Sequence, residues 1–279
     1  MRRGFRSTMI ILTPKRSFTV PVGGECISPD TFAAKSTSEM ANLPVWEGNK
    51  KRALGHLFRI ELKTAPSESL TIRIRGDAGR IRRIGAKMSS GRIVIEGNAG
   101  MHLGEEMNGG AITVVGNAGS WAGSRMKKGT IEIKGDAGHY IGAAYRGSNK
   151  GMNGGAITIY GNAGNEVGCF MRKGLIKIHG DVGQFTGIHM KNGTIYIGGD
   201  SEVRAGAQML GGKIVVLGRI PSILPTFTID DIKSRVKIDG EKVEGPFYRF
   251  LGDLAENGNG KLFISQKQNT HLTPCERFL

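Results

Sequence analysis

A four-residue signature, Gly-(Asn/Asp)-Ala-Gly, returns at a fixed interval through the middle of this 279-residue chain. It starts at Gly76, Gly97, Gly116, Gly135 and Gly161, followed by a variant at Gly180-Asp181-Val182-Gly183 and a degenerate copy at Gly199-Asp200-Ser201-Glu202. The starts lie 21, 19, 19, 26, 19 and 19 residues apart. This is a period of 19, with two residues inserted in the first unit and seven in the fourth. Self-similarity of this kind marks a chain built from small stacked units.

Other positions recur in step. A Met falls at Met88, Met107, Met126, Met152, Met171, Met190 and Met209, always three residues before a Gly. Two apolar residues then sit two apart, as in Ile93/Ile95, Ile112/Val114, Ile131/Ile133, Ile157/Ile159, Ile176/Ile178, Ile195/Ile197 and Ile214/Val216, with Ile72/Ile74 ahead of the first turn. Period-two alternation of β-branched residues is a strand with one buried face. A 19-residue unit cannot bury that face alone, but stacked units can. Glycine supplies the turns, Asn or Asp tolerates left-handed backbone and bonds locally, and Met fills an interior corner. The expectation is an all-β fold, a right-handed parallel β-helix forming a single-stranded solenoid of seven to eight coils, with small α/β capping segments.

This divides the chain into an N-terminal extension (1–8), an N-terminal cap (9–69), the glycine-rich β-helix (70–218) and a C-terminal cap and tail (219–279). In the first cap, Ser17–Val22 reads as a strand, Ser28-Pro29 as a helix start and Leu43–Lys50 as a loop. In the second, Asp239-Gly240 reads as a hairpin turn. Phe247, Phe250, Leu251 and Leu254 read as a helical stripe closed by Asn257-Gly258. The final dozen residues are expected to be loose.

Calcium-binding β-rolls repeat every nine residues with Asp in each unit, which does not fit. A soft-metal methionine ladder is a second alternative, weaker than core packing. Cys26, Cys169 and Cys275 are odd in number and form no Cys-x-x-Cys, which argues against a disulfide framework, a zinc site or an iron–sulfur cluster and fits a reducing cytoplasm. The basic start of the chain lacks the apolar stretch of a signal peptide, and no run is long enough to span a membrane. A formal charge of +15 is spread along the chain without a nucleic-acid motif, so no nucleic-acid partner is expected. Acidic partners or an acidic substrate tail explain the charge equally well. The six histidines have no ligand spacing, and neither a nucleophile elbow, a P-loop nor a dinucleotide fingerprint is present. No catalytic, cofactor-binding or metal-binding residue is therefore assigned.

The units resemble the repeat domain shared by the C-terminus of glutamate synthase large chains and the C-subunit of formylmethanofuran dehydrogenase. The flanks separate the two. Leu43–Lys50 followed by Leu54-Gly55-His56-Leu57-Phe58, and Tyr248–Glu256 followed by Gly258 and Gly260, look like those of the dehydrogenase C-subunit. The resemblance implies a non-catalytic scaffold in a cytoplasmic complex that reduces carbon dioxide with ferredoxin electrons to formylmethanofuran. It implies no cofactor in this chain, with molybdenum or tungsten pterin, iron–sulfur clusters and a binuclear metal site on partner subunits. The alternatives are the same type of subunit in a formyltransferase/hydrolase complex of one-carbon metabolism, and a free-standing solenoid binding module. A scaffold needs a docking face. Between the second and third glycines of successive units the middle residues are His102, Trp121, Tyr140, Glu166 and Phe185. They are expected to point outward in a column and form the candidate interface; the alternative is that they pack on one another or fold inward.

Overall fold

The computed structural model describes residues 7–65 and 69–279. Most of the expected N-terminal extension, residues 1–6, lies outside the described residues.

The chain opens with β1 (Ser7–Pro14), the short β2 (Val22–Gly23), helices α1 (Pro29–Phe32) and α2 (Thr37–Ala41), the hairpin β3 (Pro44–Glu47)–β4 (Lys50–Ala53), helix α3 (Leu54–Leu57) and β5 (Phe58–Ala65). The repeats follow as β6 (Thr71–Ile74), the short β7 (Ile81–Arg82), β8 (Arg92–Ile95), β9 (Asn108–Val114), β10 (Lys128–Ile133), β11 (Asn153–Ile159), β12 (Lys173–Ile178), β13 (Thr194–Ile197) and β14 (Lys213–Val216). The chain then adds β15 (Thr228–Ile238), β16 (Glu241–Gly252) and β17 (Gly260–Ser265).

The strands assemble differently from the expected β-helical solenoid. Thirteen of them lie in one sheet, ordered β15-β16-β17-β14-β13-β12-β11-β10-β9-β8-β6-β1-β5, and β4-β3-β2-β7 make a second. The large sheet is mostly parallel and turns antiparallel at both ends, where β5 joins β1 and the β15–β16 hairpin joins β17. The physical reason lies within each unit, which carries a single run long enough to be a strand. Outside that run the glycine turns of neighbouring units are hydrogen-bonded to one another but form only isolated bridges, from Ala78↔Ala99 to Val182↔Ser201, and no second strand.

Register follows the repeat. Ile72 pairs with Ile93, Ile93 with Ile112, Ile131 with Ile157 and Ile157 with Ile176, so both insertions are absorbed outside the strands. The paired Ile and Val side chains face the core, as expected, and all seven repeat methionines are fully buried beside them. The flanking segments supply replacement strands. β1 lies parallel to β6, with Ile10 beside Ile72, and β17 lies parallel to β14, with Leu262 beside Ile214. Both ladder ends are thereby covered.

The Asn/Asp positions do more than bond locally. The side-chain oxygen of Asn98 accepts the backbone N–H of Asn117, and the pattern continues through Asn117, Asp136, Asn162, Asp181 and Asp200 at 2.7–2.9 Å. None of these residues has positive φ.

Ser28 caps α1 by accepting from Thr31 N, and Asp239-Gly240 turns the β15–β16 hairpin, both as expected. Four local expectations need correction. Of the strand expected at Ser17–Val22, only Val22 lies in a strand, β2. Pro44–Glu47 and Lys50–Ala53 form a hairpin in place of the expected loop at Leu43–Lys50. Phe247, Phe250 and Leu251 lie in β16, while Leu254 starts a 3-10 turn. The chain end is not loose: Asn269, fully buried, donates to Gly218 O and Ser265 O and accepts from Ile220 N, while Tyr248 Oη donates to Glu276 at 2.7 Å.

Candidate functional site

The five candidate residues share one backbone state. His102, Trp121, Tyr140, Glu166 and Phe185 all have φ between +57° and +63°, a region that side-chain-bearing residues enter uncommonly. Periodicity extends the series to Arg83 and Arg204, which have the same conformation and occupy the same slot 19 residues before His102 and after Phe185. Because the state recurs in every unit, it belongs to how the ladder turns rather than to one strained site. The backbone N–H of each residue reaches a carbonyl in the next unit, as from His102 to Ser120 and from Trp121 to His139. That tie holds the side chains one above another.

Three of the five come together. His102 and Trp121 stack with ring centroids 5.3 Å apart, and Trp121 and Tyr140 stack at 4.4 Å. Glu166 interrupts the series. Phe185 lies beyond it under the Arg204 guanidinium, 5.1 Å from the ring centroid. His102 is buried, and Trp121, Tyr140, Glu166 and Phe185 are partly exposed. The column is thus both self-packed and open on one side.

The seven-residue insertion completes the site. It carries Tyr145 back toward the stack, with its ring 6.0 Å from His102 and 6.4 Å from Trp121, and Arg146 over Tyr140 at 5.9 Å. Together with Cys169 and Phe170 they line a cleft of about 390 Å³. Tyr145 is 45% exposed and forms its accessible rim. In the sequence the insertion shows only as seven extra residues in the fourth unit. An aromatic and an arginine at the one place where the period breaks were the available signal.

The electrostatics are those of a covered aromatic site. Burial holds His102 below the ordinary histidine range, and Arg83 and Arg82 add to that effect against the opposing Glu105. Trp121 Nε1 is buried without a hydrogen-bond partner, and His102 Nδ1, also buried, makes no hydrogen bond but lies 3.6 Å from Glu105 Oε2. Burial pushes the Cys26 thiol up to about 11 and Cys169 up to about 12, far from thiolate chemistry at neutral pH. All three cysteines are free, and the described residues contain no group of three or more His, Cys, Asp or Glu side chains arranged to hold a metal ion.

No protein-family model matches the chain. It is 50% identical over 270 residues to the C-subunit of tungsten-containing formylmethanofuran dehydrogenase 2 of Methanococcus maripaludis, covering 94% of this chain and 98% of that protein. Its identity to the corresponding tungsten-containing C-subunit of Methanothermobacter thermautotrophicus is 48% over 267 residues, covering 95% and 99%. Among solved structures it is similar to a chain of the formyltransferase/hydrolase complex from Methylorubrum extorquens, determined in complex with methylofuran. The TM-score there is 0.79 at 30% identity, over 91% of this chain and 99% of that one.

Proposed function

The chain belongs to the family of formylmethanofuran dehydrogenase C-subunits, and from that premise we propose that it is the non-catalytic scaffold of such a complex. The carrying observation is the match to a C-subunit at 50% identity, which runs through the repeats and both flanking segments. In this reading the complex is an oxidoreductase that reduces carbon dioxide with ferredoxin electrons and traps the product as formylmethanofuran, or runs in reverse. Molybdenum or tungsten pterin, iron–sulfur clusters and a binuclear metal site reside on partner subunits, and the assembly works in the cytoplasm. No helix among the described residues is long and apolar enough to cross a membrane. Docking uses the face carrying His102, Trp121, Tyr140, Glu166 and Phe185. Exposed Tyr145 beside partly covered rings supports this, since aromatic and arginine side chains concentrate at interfaces.

A second reading, the equivalent subunit of a formyltransferase/hydrolase complex, draws on the solved neighbour. Affinity purification from the native source with metal analysis separates the two. Co-purifying molybdenum or tungsten and iron–sulfur proteins support the dehydrogenase, a formyltransferase without redox metal supports the second reading, and a monomer without partners defeats both. In the same preparation, Tyr140→Ala with Tyr145→Ala should leave the thermal midpoint nearly unchanged while reducing recovery of the partners. Full recovery would place docking elsewhere.

A further inference from the structure

Away from the aromatic stack, the β15–β16 hairpin folds back over the outward side of the ladder. Val236, Ile238 and Phe247 of the hairpin pack there on Val215 and Phe263, which face away from the main core. Between this hairpin and strands β13, β14 and β17 lies a cleft of about 580 Å³.

Six basic side chains line it: Lys213, Lys233, Arg235, Lys237, Arg249 and Lys261. Arg249 pairs with Asp230 and Asp231, and Lys233 with Asp231. The other four, Lys213, Arg235, Lys237 and Lys261, make none of the ion pairs found among the described residues. Lys213 and Lys261 are direct neighbours in the parallel register, an arrangement of like charges that opposes folding. Burial, and secondarily Lys261, hold the Lys213 ammonium below the ordinary lysine range. Lys213 Nζ donates to the Lys237 carbonyl at 2.5 Å, so the cleft reaches the backbone of β15, the terminal strand of the sheet. Val236 and Phe263 give it an apolar floor.

Basic residues on an edge strand ordinarily guard against strand-to-strand association. That accounts for Lys233, Arg235 and Lys237 on β15. It does not account for Lys213 and Lys261, which sit on interior strands of the sheet. A single inorganic anion would meet only part of this charge and fill little of the volume. An extended chain can do both, because its alternate side chains fall along the cleft while its backbone lies beside an unpaired strand edge.

We propose that this cleft seats an extended, carboxylate-rich segment of a partner protein. The inference goes beyond the assignment to the C-subunit family and is independent of which complex the chain serves.

The test is titration of the full chain into fluorescein-labelled hexaglutamate, followed by fluorescence anisotropy at low and physiological salt. Saturable binding is expected, and Lys213→Gln with Lys261→Gln should weaken it about tenfold or more. Arg235→Gln with Lys237→Gln, on the opposite wall, should act in the same direction and covers the case in which the first pair misfolds. Lys127→Gln with Lys128→Gln, an equal loss of charge outside the cleft, should change affinity by less than about twofold. Absence of saturable binding overturns the proposal. So does equal weakening by the Lys127/Lys128 pair, which would mean unlocalised attraction. Displacement by inorganic phosphate or by tricarballylate at concentrations matching unlabelled hexaglutamate would overturn the peptide assignment in favour of a small anion.

Discussion

Ile133 is fully buried, flanked in register by Val114 on β9 and Ile159 on β11, so a cavity there is lined from two units at once. Ile133→Ala should cost about 2–5 kcal/mol in denaturant unfolding. Thr130→Ala, on the exposed side of the same strand, should stay within about 0.5 kcal/mol. Equal losses would show that the register is wrong. His102 gives a pH-dependent counterpart. Its folded pKa lies below the ordinary value of 6.5, chiefly through burial, so the unfolded chain takes up the proton first as pH falls. Its contribution is therefore complete above about 6.5 and is lost as pH drops toward the lowered folded value. The thermal midpoint should fall between pH 7 and 5, and His102→Gln should make that slope shallower, with His179, also lowered by burial, supplying part of the remainder. An unchanged slope in the variant would remove His102 from this role. At this scale the inward Ile and Met positions were legible, because a fixed spacing carries them. The left-handed backbone at Trp121 and Tyr140 was not, since nothing in an aromatic side chain announces positive φ. Nor was the Asn/Asp ladder, whose hydrogen-bond partner is a whole unit away.

At the scale of elements, the seven-residue insertion is separable from the ladder. Ala144 N–H bonds to Cys169 O, as Glu106 N–H bonds to Ser124 O in a regular unit, and Met152 is buried like the other repeat methionines. Deleting residues 145–151 joins these two regular positions and restores the 19-residue spacing. Circular-dichroism melting should detect little change, since surface segments of this kind contribute weakly. Partner recovery should fall, because Tyr145 and Arg146 leave with the segment; a large loss of stability would instead make the insertion part of the fold. The helix expected around Phe247 has a physical cause. β16 buries Phe247 against the outer cluster and Tyr248 with Phe250 against the main core. A strand covered on both faces shows no period-two alternation, and the spacing of Phe247, Phe250, Leu251 and Leu254 then imitates a helix. The repeat was visible in the sequence, but whether its units wrap into a solenoid or line up in a sheet depends on segments between strands. There the units are joined by hydrogen bonds that leave only isolated bridges and no second run of strand.

For the whole molecule, the covering strands matter as much as the repeats. β17 takes the place beside β14 that a further unit would occupy, and the β15–β16 hairpin closes over it. A chain ending at residue 218 should therefore expose the edge of β14 and the end of the core, and should associate in light-scattering measurements where the full chain does not. A monodisperse truncated protein would show that the edge is already blocked. The flanks were only coarsely legible because their contacts are non-local: Asn269 is defined by Gly218 and Ile220, some fifty residues earlier in the chain. The parallel ladder has a further consequence. Each unit adds one strand spacing of ~4.8 Å, so the nine intervals from β1 to β17 hold the two closing strands roughly 43 Å apart. That distance is quantised. Gaining or losing one 19-residue unit would move one end by a single step and leave both ends chemically unchanged. A partner gripping both ends would thus sense the number of units as a length, which makes the chain a ruler graduated in strands.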